Sequence, residues 1–128
     1  MQKQDENKEL LQKQEESLAY MMEHLAHSKR AIVKYHSSEE INYFFVEKQD
    51  EEIYAYEAWN KTAGKIDEGI LQAENMEHAV KDILNQQDYK PEQVISGYAF
   101  SSEKSYQKAK EDIKDSVTKR TTKSKKLL

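Results

Sequence analysis

Between Glu40 and Trp59 the chain carries two β-rich runs, Glu40-Ile-Asn-Tyr-Phe-Phe-Val-Glu-Lys48 and Glu52-Ile-Tyr-Ala-Tyr-Glu-Ala-Trp59, separated only by the polar connection Gln49-Asp50-Glu51. β-Branched and aromatic side chains favour a pleated surface, and a link this short joins two such runs as a hairpin, although the Asn-Gly turn signal is missing. In the first run Tyr43 and Phe45 share one face while Phe44 and Val46 share the other, which predicts a central strand covered on both sides. In the second, Tyr54, Tyr56 and Ala58 alternate with Ile53, Ala55, Glu57 and Trp59. Ala31-Ile-Val-Lys-Tyr35 precedes them as a further strand and stops at His36-Ser-Ser38.

The rest of the chain arranges itself around that sheet. Residues 3–28 read as one long helix with Leu11, Leu18, Met22 and Leu25 on a stripe. The seven-residue spacing of Leu11, Leu18 and Leu25 also allows a seam between two copies, hence a possible homo-oligomer through this helix. Asn60-Lys-Thr-Ala-Gly64 is a turn, and Lys65–Glu74 can pair as another strand through Ile70 and Leu71. Asn75 is an N-cap, and Met76, Ala79, Val80, Ile83 and Leu84 follow the i, i+3, i+4, i+7, i+8 pattern of an amphipathic helix that must stop before Pro91. That stripe is expected to pack on Phe44 or Phe45 and on Val94 or Tyr98. Residues 93–100 alternate as a strand with Val94, Ser96, Tyr98 and Phe100 on one side. Ser101 caps a last helix, residues 101–118, with the stripe Tyr106, Ala109, Ile113 and Val117, and residues 119–128 form a basic flexible tail. The order predicts a single α+β domain over 1–128: an antiparallel sheet of about four strands with helices packed on one face.

Only 37% of residues are hydrophobic and 34% are charged, against typical values of about 45–50% and 25%. A small core with long solvated helices follows. Absence of Cys removes disulfides and thiol chemistry and suits a reducing compartment. The N-terminus, Met1-Gln-Lys-Gln-Asp-Glu-Asn-Lys, does not resemble a signal peptide and no apolar run is long enough to cross a membrane, so the chain is expected to be soluble and cytoplasmic. Eighteen Lys against two Arg suggests an AT-rich genome, such as that of a low-GC bacterium or its phages and mobile elements.

Signatures of enzyme chemistry are missing. His24 and His27 lie three apart on one helical face and make half a metal site at best; Glu74, Glu77 and His78 form a looser group. Both read as solvated surface. Gly64, Gly69 and Gly97 are too far apart to cradle a phosphate, and there is no Gly-x-Ser-x-Gly elbow. The chain is therefore read as non-enzymatic, with no cofactor and no metal.

Charge carries the remaining information. Residues 37–90 hold thirteen Asp/Glu against five Lys, a net of −8; residues 91–128 hold five acids against nine Lys/Arg, a net of +4; residues 1–36 balance six against six. Surfaces of opposite sign speak to partners rather than to fold. The acidic hairpin, with Glu39, Glu40, Glu47, Asp50, Glu51, Glu52 and Glu57 interleaved with Tyr54 and Tyr56, is the candidate surface for a basic, nucleic-acid-handling partner protein such as a nuclease. Phage and mobile-element inhibitors of such enzymes imitate nucleic acid with charge of this kind, an analogy of charge alone. The alternative is direct binding of DNA or RNA phosphate through Lys119, Arg120, Lys123, Lys125 and Lys126. Stacking of bases on Tyr54, Tyr56 and Trp59 is disfavoured by the surrounding negative charge.

Overall fold

A computed structural model describes residues 16, 18–90 and 92–126, with side chains through Val117. Five antiparallel strands form one sheet: β1 (Arg30–His36), β2 (Ile41–Asp50), β3 (Ile53–Asn60), β4 (Gly64–Gln72) and β5 (Val94–Ala99), in the order β4-β3-β2-β1-β5. The first four make a meander. Helix α2 (Met76–Gln86) then carries the chain back across the sheet so that β5 pairs with β1. Helix α1 (residues 18–25) precedes the sheet and α3 (Glu103–Lys126) follows it. The fold is α+β, as expected, with one more strand than expected.

Local chemistry explains the element boundaries. The side chain of Asn75 accepts from the His78 N–H at 3.0 Å, capping α2. In the β3–β4 turn Asn60 Oδ1 accepts from Thr62 N and Ala63 N, and Gly64 takes φ +86°, where a side chain would be strained. Ser102, one residue later than expected, caps α3 by accepting from Ser105 N at 3.1 Å. The first helix ends at 25 rather than 28, and residues 3–15 of the expected helix, Leu11 included, lie outside the described residues.

Helices cover both faces of the sheet rather than one. On the first face α1 and α2 enclose a continuous apolar core: Met21, Met22 and Leu25 from α1; Met76, Ala79, Val80, Ile83 and Leu84 from α2; and Ala31, Val33, Tyr35, Phe44, Val46, Tyr54, Tyr56 and Ala58 from the strands. Leu18 packs against the same core, so two of the three leucines of the seven-residue repeat serve the chain's own interior. On the second face α3 packs Tyr106 over Ile32 and Phe45, with Trp59, Phe100, Ala109 and Ile113 around them. Phe44 thus meets α2 while Phe45 meets α3, so β2 is covered on both sides, as is β1 through Val33 and Ile32.

The expected parity of β5 is reversed. Val94 and Tyr98 are 54% and 57% exposed, whereas Ile95 packs on the first-face core. The cause is Gly97: a Cβ there would come within 2.7 Å of Met21 Sδ and 3.0 Å of Leu25 Cδ1, so α1 rests directly on this glycine. That contact fixes which side of β5 faces inward.

Candidate functional site

The hairpin acids do not form one patch. Strand β2 lies between Glu40 and Asp50, and its ten residues separate them by about 30 Å. Asp50, Glu51 and Glu52 sit exposed at the β2–β3 turn, while Glu39 and Glu40 sit exposed at the opposite end of the sheet. Glu47 and Glu57 belong to the second face and are paired. Arg30 Nε meets Glu47 Oε2 at 3.0 Å, and Glu57 Oε2 lies 3.0 Å from Lys110 Nζ and 3.3 Å from Lys114 Nζ. Burial raises the Glu57 carboxyl, but hydrogen bonding and charge from Lys110, reinforced by Lys114, outweigh it and hold the group below the usual carboxylate range.

Tyr54 and Tyr56 are core residues, 2% and 9% exposed. The Tyr56 hydroxyl donates to Asp67 at 3.0 Å and lies 2.9 Å from the Gln86 side-chain amide, while Gln87 Nε2 donates to the same Asp67 oxygen at 2.8 Å. This network ties β3 and β4 to the end of α2. Trp59 lies on the other face beneath Lys114, and its ring N–H is buried without a partner among the described residues. The three aromatics considered for base stacking are therefore split between opposite faces, two of them under α2.

At the hairpin end the fold assembles a different acidic group. Ala73 N donates to Glu52 O at 2.9 Å and Gln72 Nε2 reaches Glu52 Oε2 at 3.4 Å, which lock the β2–β3 turn against the β4–α2 connection. Asp50, Glu51, Glu52 and Glu74 are all exposed there, and among the described residues no ion pair engages any of them. Glu52 also has φ 58°. A non-glycine residue in this left-handed region is strained by about 1 kcal/mol, and glycine would relieve it. Below the rim lies an open hollow of about 570 Å³ whose lining includes Asp82, His78 and Lys81.

The last helix runs on to Lys126, past the expected end at 118, so Lys119, Arg120, Lys123, Lys125 and Lys126 belong to a helical backbone. No Gly or Pro interrupts residues 101–128. Positions 119, 123 and 126 fall on one helical face by their spacing. Leu127 and Leu128 lie outside the described residues. His24 and His27 are both exposed and border a hollow beside Arg30 and Phe100.

Sequence reasoning missed the Glu57–Lys110–Lys114 pairing and a hollow at the end opposite the hairpin. Only the i, i+4 spacing of Lys110 and Lys114 beside the Tyr106 stripe hinted at the first. The second is assembled from loops far apart in sequence. Among the described residues no helix is long and apolar enough to cross a membrane. Comparison of the chain with protein-family models, with curated proteins and with solved structures gave no match.

Proposed function

We propose that the protein is a small non-enzymatic interaction module whose acidic hairpin end docks a basic, nucleic-acid-handling partner protein, in the manner of a phage or mobile-element inhibitor of a nuclease. The observation that carries this reading is the unpaired group Asp50, Glu51, Glu52 and Glu74, held in one place by the Glu52–Ala73 and Glu52–Gln72 contacts. Folding does not require an acid at position 52, since the turn would form at lower cost with glycine in place of the strained Glu52. Strain retained at an exposed turn is a mark of a working surface. Exposed charges of one sign steer an oppositely charged partner and raise its association rate.

The test is a pull-down from host lysate with the wild type and with the triple variant Asp50→Lys, Glu51→Lys, Glu52→Lys, followed by association kinetics on the recovered protein. The reading requires loss of capture by the variant and an association rate that falls as salt rises. Equal capture by both proteins shows that the acids serve only solubility.

A second reading rests on the length of α3. Because the helix continues to Lys126, positions 119, 123 and 126 share a face that can follow a phosphate backbone. A salt-sensitive mobility shift with DNA or RNA, abolished by deleting residues 119–128, supports this reading; no shift at low salt removes it.

A further inference from the structure

At the end opposite the hairpin, the β1–β2 loop and the segment after α2 enclose a hollow of about 480 Å³, within the size range of small-ligand sites. Among the described residues that line it, Glu39, Glu40, Asp88 and Glu92 are acidic and Lys90 is the one cation. Four carboxylates against one ammonium leave a net of −3. The hollow also lies at the carboxyl end of α2, where the C-cap is Gln87 and the helix dipole presents its negative pole.

Tyr35 supplies an independent indication. The residue is only 3% exposed, its ring clamped between Phe44 and Tyr89, yet it forms part of the wall of the hollow. Among the described residues no hydrogen bond engages its hydroxyl. The ring is buried while the hydroxyl oxygen opens on the hollow, where water or a bound group can complete it. Burial, with the negative charges of Glu40 and Asp88, pushes this phenol up to about 12, so it stays neutral and offers an oxygen acceptor. Asn42, a buried polar side chain, borders the same space, and its Oδ1 accepts from Asn60 Nδ2 at 2.9 Å.

Carboxylates, a neutral phenol oxygen and a helix C-terminus together suit a donor-only cation. We propose that this hollow binds a primary ammonium group, carried by a free diamine or polyamine or by a lysine side chain of a partner protein. An ammonium offers three N–H donors, enough to meet Glu40, Asp88 and the Tyr35 hydroxyl at once. The site is separate from the acidic hairpin and does not rest on the function proposed for it.

The full chain is titrated with cadaverine and with Nα-acetyl-lysine methylamide at low salt, followed by amide NMR shifts and calorimetry, with 1-pentanol as the uncharged control. Saturable shifts centred on Tyr35, Glu40 and Asp88 are expected for the amines and none for pentanol. Tyr35→Phe removes only the unbonded hydroxyl, and Asp88→Asn keeps a residue that tolerates the φ of 55° at this position. Each should weaken binding about tenfold, as loss of a hydrogen bond to a charged group does, with the melting temperature unchanged. Reversing Asp50, Glu51 and Glu52 to Lys should leave amine binding within about twofold, since that turn lies many Debye-screened ångströms away. Tighter binding of cadaverine identifies a free amine as the natural ligand; equal or tighter binding of the lysine derivative identifies a protein side chain. No saturable shift at millimolar amine, or equal weakening by the hairpin and the pocket variants, overturns the proposal.

Discussion

The two faces of the sheet are held by different physics. On the first face two helices lie side by side, and Met22, Leu25, Val33, Phe44, Val46, Met76, Val80 and Ile83 are all but inaccessible. On the second face one helix must serve five strands. Five strands span about 19 Å at 4.8 Å per spacing, whereas a helix with its side chains is only about 10 Å wide. Helix α3 therefore covers the middle strands and leaves the flanks open, with Ile70 72% exposed on β4 and Tyr98 on β5. Ile32, Phe45 and Tyr106 form the buried cluster there, and Val117 is buried further along α3. Charge supplements the missing apolar area: Lys110 Nζ lies 5.6 Å from the Phe45 ring centroid and 5.4 Å from that of Tyr106, and Lys114 Nζ 5.5 Å from that of Trp59, while both cations meet Glu57. A dry apolar interface sets the fold; a mixed ionic and aromatic one attaches the last helix.

The largest effect should come from breaking the dry face. Ile83→Ala removes a fully buried side chain from the centre of α2 and should cost about 2–5 kcal/mol in denaturant unfolding. Next is Gly97→Val, which drives a branched side chain into Met21 and Leu25; about 1–3 kcal/mol is expected, with spectral changes in α1. On the charged face Glu57→Gln should cost about 1–2 kcal/mol. Its pH dependence follows from the sign of the shift. The folded carboxyl titrates below its unfolded value, so its stabilisation is complete above the unfolded pKa and is lost as pH falls through the folded one. Wild type and Glu57→Gln should accordingly differ at neutral pH and converge as the pH drops below about 4. Smallest of all, Trp59→Phe exchanges ring area for relief of an unpaired buried N–H and should change stability by less than about 1 kcal/mol. A loss as large as that of Ile83→Ala would mean that the second face is as apolar in its energetics as the first.

The sequence was most legible where one local pattern decided the outcome. The α2 stripe and its Asn75 cap appear residue for residue, because a 3.6-residue period and a capping side chain are local signals. The Tyr106–Val117 stripe of α3 was equally clear. Strand β5 was not: Val94 and Ile95 are apolar on both sides, and the inward parity depends on α1 pressing against Gly97, a contact between segments some seventy residues apart. The aromatic residues of β3 read in the sequence as partner anchors, because exposure and burial look alike in an alternating strand until the covering helix is known. The acids were legible as a count, but their division between two ends about 30 Å apart depends on strand length and turn position.

Native-state hydrogen exchange across a salt series tests the difference between the two faces most directly. The amides of α2 from Ala79 to Leu84 should exchange only through global unfolding, at a rate insensitive to salt. Those of α3 from Tyr106 to Val117 should exchange earlier, by local release of the helix, and earlier still in high salt or in Glu57→Gln. Equal protection of the two helices, unchanged by salt and by the substitution, would contradict the account.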